Sequence, residues 1–496
     1  MRRYLIKRFL RSLLSIFIVM TIVFTLVYSV VPRDRVFFSD VNIEKLQKRP
    51  DDYLNYKYIQ WEKLGYLKYE TIQDYCRGLY GDANGEYVRC LLPDSSETKE
   101  FVSSKQEEGW EVSFFEESGQ AYSFEEISPL KRALNWWANL IQIDSPNRVK
   151  SEEATLKRQI YVGKDFNDRL ALMCSGCENK YLIYFDQKFP FIHQNIVKLN
   201  LGVSYPTYSG QEVLEVITSS QGEKVKQELK EPINGQEASS INYYTCRYKE
   251  TLDALEKKNF SDHYADCDAI RTDPSMMKIS FIMGFISLVL TYVIGLPLGV
   301  YMARHQGRWG DRLGQWYIIF MNAIPGLAYI VFIRFIGGKY FGLPSMFPML
   351  GAEDPRSYIL PILSLTLGAT ASRMMWMRRY MIDQSQMDYV KFARAKGLSE
   401  REIFSKHIFR NAIIPMVHGI PAAIIFCISG ALITEGVYGI PGMGKILPDS
   451  ISIYNNSMVV GLTFIFTTLS ILSTFLGDWL LTKIDPRIRL EDKGGN

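Results

Sequence analysis

Alanine is missing from the first 82 residues of this 496-residue chain, and histidine occurs only five times in its whole length. The first absence bears on the N-terminus. Arg2, Arg3, Lys7, Arg8 and Arg11 precede an apolar run over 13–31, long enough as a helix to cross a hydrocarbon core of roughly 30 Å. A secretory signal peptide has the same outline but ends in a small-residue cleavage site, and the first alanine is Ala83. The run predicts an uncleaved signal anchor over 9–31, with residues 1–8 on the cytoplasmic side.

Long apolar runs are also missing between 32 and 275, a polar stretch of 244 residues with its own core-forming capacity. His193 and His263 are its only histidines, and it holds no G-x-S-x-G nucleophile motif, which leaves a hydrolase little to work with. It does hold six of the seven cysteines, Cys76, Cys90, Cys174, Cys177, Cys246 and Cys267. In an oxidising compartment such a set predicts disulfides, of which Cys76 to Cys90 is the first candidate, because Asn84-Gly85 between them is a hairpin signal. The competing reading, zinc held by Cys174-x-x-Cys177 with Cys246, His263 or Cys267, lacks a second close-spaced ligand pair. A redox Cys-x-x-Cys would need a helix opening beside a strand. The expectation is no metal.

After Met276 the chain turns apolar, with runs at 276–303, 313–337, 358–380, 412–434 and 457–481. With the first helix these predict six transmembrane helices and both termini inside. Lysine and arginine follow that scheme. Arg304, Arg308 and Arg312, the segment 381–411 and the tail 482–496 are basic, whereas the predicted outer loops carry only Lys339, Arg356 and Lys445. The segment 32–275 has 31 Lys+Arg against 40 Asp+Glu, and the remainder 26 against 13. An acidic domain outside and a basic scaffold inside fit anionic membrane lipid, and nothing in the pattern argues for nucleic acid.

The longest inner loop, 381–411, reads as two helices with a tight corner. Ser385 with Asp388 resembles a cap for the first, Gly397 suits the left-handed residue that ends it, and Ser399 with Glu402 forms a capping box for the second. Pro415 marks the start of the next span. Met387, Val390 and Phe392 beside Lys391, Arg394 and Lys396 make either a docking knob for a cytoplasmic partner or an ordinary basic inner loop, and the residue chemistry leaves both open.

Ala393-Arg394-Ala395-Lys396-Gly397-Leu398-Ser399, followed by His407, Arg410-Asn411-Ala412 and Pro415, resembles the EAA loop of ABC importer permeases in its oligopeptide and dipeptide form, the OppB/DppB family. Where the general pattern has Glu six residues before its glycine, this chain has Lys391, as is common in the peptide branch. Two further stretches resemble the same branch: Glu435 to Gly444, with Pro441 and Gly442, in the outer loop 435–456, and the C-terminal signature with Asp485, Pro486 and Arg487. The likeness covers about 276–490 and the first helix. Across the insert it gives out, although the insert's size is similar to that of AmiC-type subunits of Gram-positive peptide transporters.

The resemblance implies an all-α polytopic membrane protein, a type I importer permease of six transmembrane helices, with a large extracytoplasmic α/β insert between helices 1 and 2. It implies a subunit that is not itself an enzyme and forms half of an oligopeptide pore in a bacterial plasma membrane. Expected partners are a second permease subunit (OppC- or AmiD-like), two ATPase subunits (OppD/OppF- or AmiE/AmiF-like) docked on the loop from Lys391 to Glu402, and a substrate-binding lipoprotein (OppA- or AmiA-like). This chain is expected to bind no cofactor, with ATP and Mg²⁺ on the partners. Gly439 to Ile446 imitates a Walker A loop, but Ile446 stands where a Ser or Thr hydroxyl would hold Mg²⁺, and Pro441 removes an N–H from the cradle. Pro297, Pro325, Pro361 and Pro421 lie within spans and predict kinks. Arg334 and Asp478 are the deepest charges, Arg334 the candidate substrate contact. The alternative is a membrane-anchored extracytoplasmic receptor or sensor for peptides.

Overall fold

A computed structural model describes residues 2–81, 85–149, 157–165, 168–185, 191–218, 245–260, 262–268 and 275–484. The first apolar run is one helix, α1 (Arg2–Val30), and its basic inner turns end in an ion pair from Arg8 to Asp478 on the last helix. Asp478 is thereby a tie between the first and last helices of the chain.

The residues between 32 and 275 alternate short helices and strands. β1 (Leu67–Thr71), β2 (Glu111–Phe114) and β3 (Ala121–Glu126) form an antiparallel sheet with β3 in the centre. An aromatic core that includes Tyr58, Trp61, Tyr69 and Phe124 lies beside it. Helix α2 (Pro129–Asn139) follows, then β4 (Ile141–Ile143). A second sheet runs in chain order through β5 (Gln159–Lys164), β6 (Leu170–Ser175), β7 (Tyr181–Phe185) and β8 (Ile192–Gln194), and β9 (Val197–Leu199) returns to pair with β4. The short strands β10 (Thr245–Arg247) and β11 (Asp266–Asp268) set Cys246 opposite Cys267, and Cys246 is in a disulfide.

Cys76 is bonded to Cys90, and Cys174 to Cys177. The first bond joins two helices, Ile72–Tyr80 and Gly85–Cys90, and not the two strands that a hairpin signal predicts. Thr71 caps the first of these helices with a reciprocal box to Asp74, so local capping chemistry decided for helix here. Asn84 lies outside the described residues. With Cys174 and Cys177 bonded to each other, neither thiolate is available to the zinc set considered above.

This region does not hang from the membrane by its ends alone. Asn455, buried at the start of the last helix, donates to Ser204 Oγ at 2.8 Å and Thr207 Oγ1 at 3.0 Å, and Asn456 donates to the Tyr66 hydroxyl at 2.9 Å. Buried amides with satisfied partners fix geometry, since a misplaced one leaves polar groups unpaired. Met20 and Phe24 of α1, Val213 and Ile217 of the insert, and Met458 and Leu462 share one core.

The apolar second half gives α3 (Met276–Arg304), α4 (Trp309–Ala323), α5 (Gly326–Phe341), α6 (Ile359–Ser385), α7 (Asp388–Ala395), α8 (Glu400–Phe426), α9 (Leu432–Tyr438), α10 (Met443–Ser452) and α11 (Asn456–Ile484). Three sequence expectations change. The run 313–337 is not one helix: α4 and α5 meet at 105° around Ile324-Pro325, where proline removes an N–H and pushes its predecessor out of helical geometry. The run 412–434 is also divided. Its first part belongs to α8, which begins earlier at Glu400 and winds as a π-helix over Ile403–Phe409, and its end becomes α9. The run 358–380 extends to Ser385 as one helix, with Arg373, Arg378, Arg379 and Asp383 in its second half. Among the described residues, four helices are long and apolar enough to cross a membrane, or five if the bent pair counts as one. Pro297 lies inside the unbroken α3, Pro361 in the first turn of α6, and Pro421 at the start of a segment of α8.

α3 and α6 form the centre of the bundle. Their close approach depends on Gly295 and Gly299: a Cβ on Gly299 would sit 2.9 Å from the Met374 carbonyl oxygen, and one on Gly295 3.0 Å from the Arg373 Cβ. A glycine every fourth residue lets two helix backbones touch.

Candidate coupling loop and translocation cavity

Two constellations occupy opposite ends of α3, separated by the 23 residues from Ser280 to Ala303, or about 35 Å of helix. At the Ala303 end is the loop between α6 and α8. α7 ends in a Schellman motif: Gly397 N–H donates to the Arg394 carbonyl at 2.9 Å and Leu398 N–H to the Ala393 carbonyl at 3.3 Å, with Gly397 at φ +77°. Ser399 caps α8 by accepting from Glu402 N–H at 3.3 Å, and its hydroxyl lies 3.2 Å from the Glu402 carboxylate. Arg394 closes the corner with two bonds to Glu400, at 2.7 and 3.3 Å, which raise the arginine's pKa and hold the carboxyl below its usual range.

The cap on the first helix differs from the sequence reading. Ser385 is the last residue of α6 and bonds the Ile382 carbonyl, while Met387 opens α7 without a side-chain cap. Asp388 pairs with Lys391 at 2.8 Å.

Helical spacing sorts the loop into two faces. Val390 and Ala393 turn inward with Ile403 and Ile408, packing on Met377, Met381, Ala412 and Met416, and Leu296, Val300 and Ala303 of α3 border the cluster. Val390 is thus a core residue and not part of a docking knob. The outward face carries Lys391, Ala395, Lys396, Met387 and Phe392. Phe392 is 62% exposed, with the Lys396 ammonium 4.6 Å from its ring. An exposed aromatic flanked by cations is the composition of an interface anchor, and its inward neighbours touch α3, α6 and α8 together.

Between those three helices lies a cavity of about 230 Å³ bordered by Ser287, Thr291, Arg373, Ala423 and Cys427. The Thr291 hydroxyl is buried without a hydrogen-bond partner among the described residues, and the Arg373 guanidinium lies 5.0 Å over the Tyr292 ring. The lining is mostly apolar, and Arg373, its one charged residue, suits a substrate that carries a carboxylate. Arg334 is elsewhere: it donates to the Val437 carbonyl at 2.8 Å and ties α5 to α9, a role inside the protein and not at the cavity.

Asp311 and Arg378 form a buried charged pair that the order of charges along the sequence conceals. Asp311 is fully buried in the first turn of α4, takes two bonds from Arg378 of α6 at 2.6 and 2.9 Å, and accepts from Gly307 N–H and Gln315. Its sequence signal is that it is the only acid between 274 and 352. Arg378→Ala is expected to cost about 3–5 kcal/mol, because it strands a buried carboxylate. The double variant Asp311→Leu, Arg378→Met should recover most of that loss in thermal unfolding of the detergent-solubilised protein.

At the Ser280 end sits Glu435, fully buried in α9. Its carboxylate accepts from Ser280 Oγ at 2.8 Å, Ala431 N–H at 3.0 Å, Gly444 N–H at 2.7 Å and Lys445 N–H at 3.2 Å, the last two at the N-terminal turn of α10. Gly442 and Gly444 make room for it, since a Cβ on Gly442 would sit 2.5 Å from Glu435 Cδ and one on Gly444 2.7 Å from the Leu432 nitrogen. The Walker-like spacing therefore has a physical cause of its own. Glycines bare a helix N-terminus to an anion, and the anion is the chain's own glutamate. Pro441 precedes this turn, and Tyr438 bonds Ser364 of α6 at 2.9 Å. Asp485, Pro486 and Arg487 lie outside the described residues.

Residues 295–490 match the family model of the binding-protein-dependent transport system inner membrane component. Over its full length the chain is 43% identical to the oligopeptide transport system permease protein AmiC of Streptococcus pneumoniae serotype 4, covering all of both chains. It is 29% identical to the dipeptide transport system permease protein DppB of Bacillus subtilis, but there over 44% of this chain and 69% of the relative. A solved inward-facing MetNI methionine ABC transporter is 18% identical over 42% of this chain and 94% of its own, at a TM-score of 0.33, too weak a likeness to bear on the fold. The AmiC match runs through the insert, where the family resemblance had given out. The chain belongs to the binding-protein-dependent permeases, the membrane components of ABC importers, and among them to the AmiC type.

Proposed function

We propose that this chain forms half of the translocation pore of an oligopeptide importer and takes its energy from ATPase subunits docked on α7 and the corner after it. The observation that carries the reading is the single apolar core that joins this corner to α3, α6 and α8, the three helices that also border the cavity. A displacement of Phe392 by a closing ATPase dimer would move all three helices as a body, and close-packed interfaces switch between discrete arrangements more readily than they deform.

The remaining parts follow from the same reading. Six spans are reached by counting α4–α5 as one broken span and α6 as one whose arginines lie in its second half. The termini and the α6–α8 loop are cytoplasmic, and the insert with its disulfides and the Glu435 loop is outside, in the plasma membrane of a Gram-positive bacterium. A second permease subunit of the OppC or AmiD kind completes the pore. ATP and Mg²⁺ sit on OppD/OppF- or AmiE/AmiF-like partners, and an OppA- or AmiA-like lipoprotein delivers peptide to the insert and the 435–456 loop. The sensor alternative gains nothing from a likeness that spans pore and insert alike.

Tagged chain is expected to copurify an ATPase and a second permease and to support ATP-dependent uptake of labelled oligopeptide. Copurification of neither, with uptake unaffected by deleting the gene, would sink the proposal. Within the cavity, Arg373→Ala is expected to reduce uptake of a peptide with a free C-terminus about tenfold, the worth of one charge-assisted bond, and to spare its C-terminal amide. Equal loss for both peptides would remove Arg373 from the substrate path.

A further inference from the structure

Helix α2 belongs to the insert by sequence, yet it packs alongside two spanning helices. Trp137 Nε1 donates to Thr21 Oγ1 of α1 at 3.0 Å, and its ring lies 5.1 Å from that of Phe17. Trp136 and Trp137 meet Phe464 of α11 edge-on at 5.5 and 5.9 Å. Both helices report the same depth. Thr21 is nine residues inside the Val30 end of α1, about 13 Å, and Phe464 eight residues inside the Asn456 end of α11, about 12 Å. Half of a hydrocarbon core is about 15 Å, so the tryptophan end of α2 is level with acyl chains and not with water.

The outward side of α2 has the matching chemistry. Leu130 and Leu134, one turn apart on the helix, are 55% and 50% exposed. Arg132 and Ala133 turn the other way and are buried. On the other side of the helix a cavity of about 300 Å³ reaches from Tyr28 and Ser457 near the helix ends down to Phe24 and Trp136, and its lining includes Lys63, Arg132, Asn135 and Asn139 and no carboxylate. Arg132 is held between the rings of Tyr28 and Tyr66, at 3.9 and 3.8 Å, and donates to the Leu64 carbonyl at 3.2 Å. A cationic cleft that opens at the height of the helix ends, on a helix whose opposite side bears exposed leucines, matches the head-group and acyl layers of an anionic leaflet.

We propose that α2 is immersed in the leaflet on the insert side, with Leu130 and Leu134 against acyl chains and the Lys63–Arg132 cleft taking the phosphate of an anionic glycerophospholipid. The insert is then seated in the membrane and not merely tethered to it. This rests on α1 and α11 crossing a bilayer, and on neither the substrate nor the ATPase reading.

A nitroxide on Leu134→Cys, in a Cys427→Ser background and with the full chain in phosphatidylglycerol vesicles, tests the immersion. Its collision rate with oxygen should exceed that with water-soluble nickel chelate at least fivefold, with the reverse order for Lys99→Cys on the exposed face of Ser96–Glu107. Preferential collision with the chelate, or protection from both reagents by a protein neighbour, overturns the immersion. In native mass spectra, phosphatidylglycerol retained over phosphatidylcholine should fall about tenfold in Lys63→Glu. Unchanged retention overturns the head-group assignment, whatever the nitroxide reports.

Discussion

Phe392→Asp is expected to reduce capture of the ATPase subunits by roughly 30-fold or more, and ATP-dependent uptake with it. An aromatic anchor at the centre of an interface is worth about 2–4 kcal/mol, and every 1.4 kcal/mol is a factor of ten. Phe392 is the most exposed apolar side chain of the corner and is not a member of the core beneath it, so the substitution should leave the fold alone. Its neighbour in sequence separates the roles. Ala393→Asp places a charge in the core beneath α7 and should lower stability and uptake together, whereas Phe392→Asp should lower uptake at unchanged melting temperature. Gly397→Pro belongs to a third class. Its φ of +77° is closed to proline, and its N–H holds the Arg394 carbonyl, so the corner opens and the ATPase loses its seat. If Phe392→Asp binds ATPase as the parent chain does, the outward face of α7 is not the dock.

The second large effect is expected at Glu435. Alanine there leaves the N–H groups of Ala431, Gly444 and Lys445 and the Ser280 hydroxyl without their acceptor in a buried place. At about 1–3 kcal/mol for each unsatisfied group, the loss is on the order of 3 kcal/mol even if some relax toward other partners. The chain should melt several degrees lower in detergent and accumulate poorly in the membrane. Gly444→Ala should produce the same phenotype from the other side of the contact, because the intruding Cβ meets backbone at Leu432 and Ala431 as well as the Glu435 carboxylate itself. Glu435→Gln keeps the size but points an amide at N–H donors, and should fall between. A Glu435→Ala chain with parental melting would show that the carboxylate is not the clamp between α3, α9 and α10.

Local rules made part of this architecture legible. A serine three residues before a glutamate and a glycine after a short amphipathic run mark a corner, because caps act over four or five residues, and Gly397 and Ser399 hold such positions. The same rules misjudged Ser385, which the preceding helix claimed by running on to meet it. Val390 and Phe392 look equivalent in a hydrophobicity profile; only the rotation of α7 onto Met377 and Met381 makes one core and the other surface. Helix ends within apolar runs were hidden for a related reason. Apolarity reports the environment and not the path, so the bend at Pro325 and the break between Phe426 and Leu432, where Gly430 stands at φ +77°, left the hydropathy of 313–337 and 412–434 unmarked. Contacts between distant residues were hidden altogether. Ser280 and Glu435 are 155 positions apart and Asp311 and Arg378 are 67 apart. The glycines of 442–444 were visible as a motif, but their reason, a carboxylate from the preceding helix, was not. In the insert, the sequence carried the cysteines and a mixed alternation of elements, while the seating of α2 against α1 rests on tryptophans that read equally well as core.

The central claim is that the corner between α7 and α8 is where an ATPase delivers its stroke. The most direct measurement is a zero-length or short crosslink from Phe392→Cys, in the Cys427→Ser chain, to the ATPase subunits in membranes. A crosslinked product is expected to form in the resting complex and to change in yield when ATP is trapped. A cysteine at this position that reacts freely with a soluble maleimide, yet yields no ATPase crosslink in a complex competent for uptake, would contradict the claim.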